Sequence, residues 1–349
     1  INDDIYIETK ISKINNKKVK FENILIVSSG IKESKIGTRV FEVNEDFETL
    51  QKNTKIFSKK LNFYSSYKGI VRTEECDQMY HMNVQFYFDK QSKALKKFTN
   101  HIFKNKFFKI KSERCVFYKE VDEFSALEIV IFVKNLKKNL LTLQSKLYCT
   151  SKHYVSAYFE TEIAFESDTK QIFKAIDSLL QKKQNTFVND FNFIKLRKIR
   201  PFRILKKPSE NSIITCKKAS NTWDLDFDGY ATHRFLISCV SDAATQLFTK
   251  CGVNHKWRAD YQIGSAALDY IVRYYNYPTI GMAVSLKSNF IEINEKSFKF
   301  CHHLIDDASN RVLMDIQIAA VLFDLKKRVA IKLPKSFRKK AEALLIKNQ

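Results

Sequence analysis

Asp77-Gln78-Met79-Tyr80-His81-Met82-Asn83 joins an extended segment, residues 67–76, to a strongly helical one, residues 84–103. An acid, a histidine and an amide lie within seven residues, just ahead of a helix start. The first backbone N–H groups of a helix lack intrahelical acceptors and carry partial positive charge. Such a mouth can hold a polarised carbonyl while a side chain attacks it or activates water. The stretch therefore predicts acyl chemistry carried on a buried helix.

The helix is read from its spacing. Val84, Tyr87, Phe88, Ala94, Leu95, Phe98 and Ile102 form one apolar stripe, and Lys90, Lys93, Lys96 and Lys97 define an opposite, solvated face. A second helix runs through Phe235, Leu236, Cys239, Val240, Ala243, Leu247 and Phe248 and stops at Gly252. It is apolar on more than one side, so it needs a sheet wrapped round it.

Working outward, the strands repeat. Ile5, Ile7, Ile11, Ile14, Val19 and Phe21 have counterparts at matching spacing in Leu127, Ile129, Val133, Leu136, Leu141 and Leu143. The ladder returns as Val284, Leu286, Phe290, Ile293, Phe298 and Phe300. Each copy breaks at a polar cluster, residues 15–18, 137–139 and 294–296, which reads as a turn between antiparallel strands. The predicted unit is α+β: a strand, a buried helix, then three or four long antiparallel strands curling round it. Residues 1–50 supply only the strand half of such a unit, residues 60–168 a complete one, and residues 213–340 another. Residues 169–212, with a surface helix and a basic stretch broken by Pro201 and Pro208, are expected to be a linker.

Composition narrows the classes. The chain has 349 residues, 44% hydrophobic and 28% charged, enough for several packed cores. Its net charge of +22 is spread along the whole length, so no nucleic-acid partner is expected, although the field suits a polyanionic small ligand. No apolar run is long enough to span a membrane, and the chain starts at Ile1, as a fragment would. Seven cysteines without a C-x-x-C pair read as reduced thiols of a cytosolic protein, with Cys76 the one open to reactivity. Gly-rich phosphate loops, a G-x-S-x-G elbow and zinc-ligand spacings are all missing from the sequence.

Residues 67–98, with the Tyr67-Lys68-Gly69-Ile70-Val71-Arg72 strand and the Asp77-x-x-x-His81-Met82-Asn83 loop, resemble the hotdog-fold acyl-CoA thioesterases of the 4-hydroxybenzoyl-CoA thioesterase type. Residues 263–270, Arg273-Tyr274, Lys296-Ser297-Phe298 and Phe323-Asp324 with Arg328 and Leu333-Pro334 are similar to strand signatures of the same family. The resemblance implies tandem hotdog domains, each a long central helix wrapped by a curved antiparallel sheet, paired within the chain or as a homo-oligomer. It implies hydrolysis of an acyl-CoA to free acid and CoA, with no metal or organic cofactor. On the matching positions it implies Asp77 as base or nucleophile, Asn83 and His81 beside it, and Val84, Gln85, Tyr87 and Gln91 along the substrate. Two departures stand out. The family's glycine before the histidine is Tyr80 here, and in the last copy Tyr230 and Thr232 replace histidine and asparagine, which leaves Asp226 as a cap. The alternative is a non-catalytic, acyl-thioester-binding or scaffold hotdog protein.

Overall fold

A computed structural model describes residues 4–15, 18–29, 32–43, 56–57, 63–104, 108–181, 184–186 and 207–346. The chain divides into two compact units, residues 1–58 with 184–189, and residues 59–183 with 190–349.

In the first unit, β1 (Asp4–Asn15), β2 (Lys18–Ser29) and β3 (Lys32–Val43) form a three-stranded antiparallel meander. A short ladder pairs β4 (Ile56–Phe57) with β10 (Gln184–Asn185). The turn expected at residues 15–18 lies partly outside the described residues.

In the second unit, β5 (Phe63–Ile70) leads to α1 (Val84–Phe103), followed by β6 (Phe108–Phe117), β7 (Ala126–Lys137), β8 (Leu140–Cys149) and β9 (Tyr154–Phe165). After α2 (Thr169–Leu180) the pattern recurs. β11 (Ile213–Ala219) leads to α3 (His233–Lys250) and α4 (His255–Tyr261), then β12 (Ile263–Tyr274), β13 (Ala283–Ile293), β14 (Ser297–Asp306), β15 (Val312–Asp324) and β16 (Val329–Ala330). A last helix, α5 (Lys335–Glu342), closes the repeat. Among the described residues every ladder is antiparallel, and the order β11-β13-β14-β15-β12-β6-β9-β8-β7-β5 makes one sheet of both repeats. They join at β6 and β12, where Glu113 faces Val272 and Cys115 faces Tyr270.

Both long helices lie against this sheet and against each other. The stripe read from sequence is the buried one: Tyr87, Phe88, Ala94, Leu95, Phe98 and Ile102 are all in the core. Lys90 is not on the solvated face. It is 2% exposed and donates to both oxygens of Glu75, at 2.8 and 2.7 Å, and to the Ile70 carbonyl at 3.2 Å. Helix α2 buries Ile172, Ile176 and Leu179 against α1 and the neighbouring strands, so this part of the expected linker contributes to the core. Among the described residues, no helix is long and apolar enough to cross a membrane.

Candidate functional site

The loop before α1 is built from its own backbone. The Asp77 amide donates to the His81 carbonyl at 2.8 Å, and the Tyr80 amide donates to the Asp77 carbonyl at 3.0 Å. Asp77 Oδ1 accepts from the Met79 amide at 2.8 Å and from the His81 amide at 3.3 Å, a side-chain-closed turn of the kind aspartate favours. The carboxylate is on the exposed surface, with its second oxygen open. Asn83 is the N-cap of α1, and its side chain accepts from the Gln85 amide at 3.2 Å. The Phe86 amide is taken by the Asn83 carbonyl, which leaves the Val84 amide without an acceptor at the helix mouth.

His81 does not turn its ring toward Asp77. Nδ1 lies 3.6 Å from Glu120 and Nε2 3.4 Å from Asp122, so the ring sits between two carboxylates of the β6–β7 connection. Val84 and Gln85 are half-buried beside the loop. Tyr87 and Gln91 belong to the core instead. The Tyr87 hydroxyl is 3.2 Å from Ser156 Oγ, and burial pushes the phenol up. Gln91 Nε2 donates to Ser145 Oγ at 2.9 Å, while its Oε1 is buried with no partner. The loop thus groups Asp77, Asn83, Val84 and Gln85, with Tyr87 and Gln91 buried deeper. Cys76 is not an activated thiol: partial burial raises it first, and the nearby Glu123, Asp77, Glu75 and Asp122 carboxylates raise it further.

The equivalent loop of the second repeat differs. Asp226 is not a cap. Its Oδ1 accepts from the Phe227 amide at 2.8 Å, its Oδ2 pairs with Lys96 of α1, and Thr232 caps α3 by accepting from the Phe235 amide at 3.3 Å.

The seam between repeats carries two contrasting ends. One face of β6 presents Glu113, Cys115 and Phe117, and the facing strand presents Tyr270, Val272 and Tyr274. Beside α1 this face is aromatic: Tyr87 packs on Phe117 at 5.2 Å, Phe88 on Tyr270 at 5.9 Å, and Phe117 on Tyr270 at 5.7 Å. Beside the start of α3 it is polar. Glu113, wholly buried, accepts from the Tyr274 hydroxyl at 2.8 Å and from Thr161 at 3.4 Å. His233, the first residue of α3, places Nδ1 2.9 Å from Glu113 Oε2 and stacks on Tyr274 with ring centres 4.8 Å apart. Although the distance is that of a hydrogen bond, the in-plane N–H is misaligned, and Nδ1 has no hydrogen-bond partner. His233 Nε2 faces the Tyr277 hydroxyl at 3.4 Å. Burial keeps the Tyr274 and Tyr277 phenols protonated, with Glu113 reinforcing both.

Sequence reasoning missed this cluster. Its signal was a carboxylate, Glu113, on the inward phase of a strand whose next inward residues are Cys115 and Phe117. Elsewhere, an open cavity of about 760 Å³ runs between the edge strand β11 and α3, lined by Ile214, Cys216, Lys218, Asp242 and Gln246 among others.

This architecture, a pair of helix-on-sheet repeats sharing one sheet, is the tandem hotdog fold. Residues 220–341, in the carboxy-terminal repeat, match the sequence profile of the thioesterase-like superfamily. At family level this is the thioester-hydrolase class. Three solved structures are similar in fold. An acyl-ACP thioesterase from Bacteroides thetaiotaomicron VPI-5482 has a TM-score of 0.53 at 10% identity, covering 75% of this chain and 98% of that one. A protein from Lactobacillus plantarum, provisionally described as an oleoyl thioesterase, has a TM-score of 0.57 at 11% identity, with 79% and 98% covered. The 12:0-ACP thioesterase from Umbellularia californica has a TM-score of 0.54 at 6% identity, with 75% and 94% covered. No curated protein sequence matches the chain.

Proposed function

We propose that the protein hydrolyses an acyl thioester of a phosphopantetheine carrier, releasing a free acid and a thiol, with Asp77 as the attacking or water-activating carboxylate. The observation that carries this is the helix mouth: an exposed carboxylate oriented by two loop amides lies in the loop that ends at the unclaimed Val84 amide. A thioester has little resonance to lose, so it needs a nucleophile and a donor for the developing oxyanion rather than a metal. Asn83 holds the mouth in register by capping α1. In this reading His81 tunes the loop through Glu120 and Asp122 and does not itself touch the carbonyl. The chain's +22 charge favours an anionic carrier, whether acyl-CoA or an acidic acyl-carrier protein.

Release of free thiol from short, branched, aromatic and long-chain acyl-CoA, and from acyl-carrier protein, tests the reading. Wild type should turn over at least one of these substrates. Asp77→Asn should lower kcat by about 100-fold or more, the scale of a lost acid–base or nucleophilic group. Turnover by Asp77→Asn at the wild-type rate would remove Asp77 from the chemistry. Tight acyl-thioester binding without turnover by wild type would select a binding protein instead.

A further inference from the structure

Five of the seven cysteines are buried, and only Cys76 and Cys216 are partly exposed. The surroundings of these two are opposite. Cys76 is ringed by carboxylates that oppose a thiolate. Cys216 sits in β11, on the wall of the open cavity beside α3, together with Lys218, Asp242 and Gln246. From the helix side Cys239, buried in α3, meets it thiol to thiol. We propose that Cys216 and Cys239 form a redox-active dithiol that exchanges with low-molecular-weight disulfides entering this cavity.

The two sulfurs have distinct roles. The Cys239 S–H donates to Cys216 Sγ, so the first thiolate forms on the cysteine that faces the cavity. That hydrogen bond lowers Cys216 from its ordinary value, partial burial opposes it, the Lys218 ammonium lowers it further, and the Asp242 carboxylate pulls the other way. Cys239 shifts upward, because its hydrogen is engaged by Cys216 and because it is buried. It therefore stays a thiol until Cys216 has reacted. Lys218 is held in place by α3, with Nζ 2.6 Å from Asp242 Oδ2 and 3.5 Å from Ser238 Oγ. One turn of the helix thus carries both the second thiol and the anchor of the cation.

A disulfide brings its sulfurs closer than a thiol–thiol hydrogen bond does, so one partner has to move. Strand β11 can. It ends the sheet, pairs with β13 alone among the described residues, and slips register between Ile214 and Cys216.

In the step, the Cys216 thiolate attacks one sulfur of a disulfide R–S–S–R. The S–S bond breaks, a thiolate RS⁻ leaves, and Cys216 carries the other half as a mixed disulfide. The Cys239 proton passes to that RS⁻, and the Cys239 sulfur then attacks Cys216 Sγ and expels the second RS⁻. Two cysteine sulfurs are oxidised to one disulfide, and the small disulfide is reduced to RSH and RS⁻. The product ties the edge strand to the middle of α3.

This site does not depend on the thioesterase reading, and its test does not use turnover. The folded full chain is incubated with glutathione disulfide, and its peptides are mapped by mass spectrometry without reduction. Wild type should lose two thiols and yield a peptide pair linked through Cys216 and Cys239. Cys239→Ser should stop at one glutathionyl group on Cys216, and Cys216→Ser should leave Cys239 reduced. With iodoacetamide near neutral pH, wild-type Cys216 should react at least about ten-fold faster than Cys76, as a stabilised thiolate does beside an opposed one. Cys239→Ala removes the S–H donor and should move the pH midpoint of Cys216 alkylation upward. The mapping and the comparison with Cys76 need no variant, so a poorly folded mutant does not blunt them. Oxidation or alkylation of Cys76 as fast as Cys216, glutathione retained on wild-type Cys216 without a link to Cys239, or no thiol oxidised at all would each overturn the dithiol.

Discussion

Tyr80 adopts φ of +59°, the left-handed region, and is 70% exposed at the tip of the Asp77 loop. The corresponding residue of the second repeat is Gly229, with φ of +81°. A Cβ in this region costs roughly 1–2 kcal/mol, against which glycine loses more entropy on folding. Tyr80→Gly is therefore expected to raise stability by a few tenths to about 1 kcal/mol, whereas Tyr80→Ala, which keeps the Cβ, should not. Denaturant midpoints of the two variants decide it. The departure of residue 80 from glycine was legible as a narrowing of the backbone. The direction of His81's ring was not, because Glu120 and Asp122 reach it from a connection almost forty residues downstream. The structure places the Asn83 side chain as the cap of α1. Asn83→Ala should cost about 1 kcal/mol of stability. It should also lower turnover if the Val84 amide is the oxyanion donor, since the mouth loses its register.

At the scale of the element, α1 shows how far periodicity carries. Its apolar stripe and its limits could be read from spacing, because burial against a sheet imposes the 3.6-residue period on any such helix. Lys90 could not, since four lysines at helical spacing look like a solvated face until the strand and loop that cover one of them are known. The structure puts Lys90 against Glu75, whose Oε2 also accepts from the Arg72 amide at 3.0 Å, so one ion pair ties α1 to the entrance of its own loop. A buried pair is weak evidence of net stability, but removing one partner strands the other. Lys90→Met should destabilise by about 3 kcal/mol. The double variant Lys90→Met/Glu75→Gln should recover much of that loss, because Gln removes the charge and still offers an acceptor to Arg72. Thermal or denaturant unfolding of the single and double variants measures the coupling, and additive losses would show that the pair does not act as a unit.

Across the whole molecule, the two repeats share one sheet, so a charge forced into either core acts on the stability of both. The repetition of strand ladders announced this architecture, since each helix needed a wrapping sheet. The partnership of β6 with β12, and hence the meeting of Glu113 with His233, depends on a register that no local pattern specifies. The same holds for His302 in β14, fully buried, whose Nδ1 lies 2.5 Å from Ser288 Oγ and whose Nε2 has no partner. Burial, reinforced by His303, lowers its pKa from 6.5 to about 3. The unfolded chain therefore binds a proton that the folded chain refuses. Above about pH 6.5 neither state is protonated and this residue adds no pH dependence. As pH falls from about 6.5 toward 3 the folded state loses stability, by up to about 1.4 kcal/mol per pH unit. Asp306 and Asp324, both half-buried, have depressed carboxyl values and lose their contributions as pH falls through the ordinary carboxylate range and below it. Asp269, raised by burial against the pull of Arg114, acts in the opposite sense. Asp306 and Asp324 therefore act mainly below the window between about pH 4 and 6.5, whereas Asp269 titrates above the ordinary carboxylate value, inside that window, and offsets part of the His302 effect there. His302→Gln, whose amide oxygen can accept from Ser288, should flatten the fall in melting temperature across that window and leave the limb below pH 4 in place. An unchanged slope between pH 4 and 6.5 would show that a different group drives the acid response of the shared sheet.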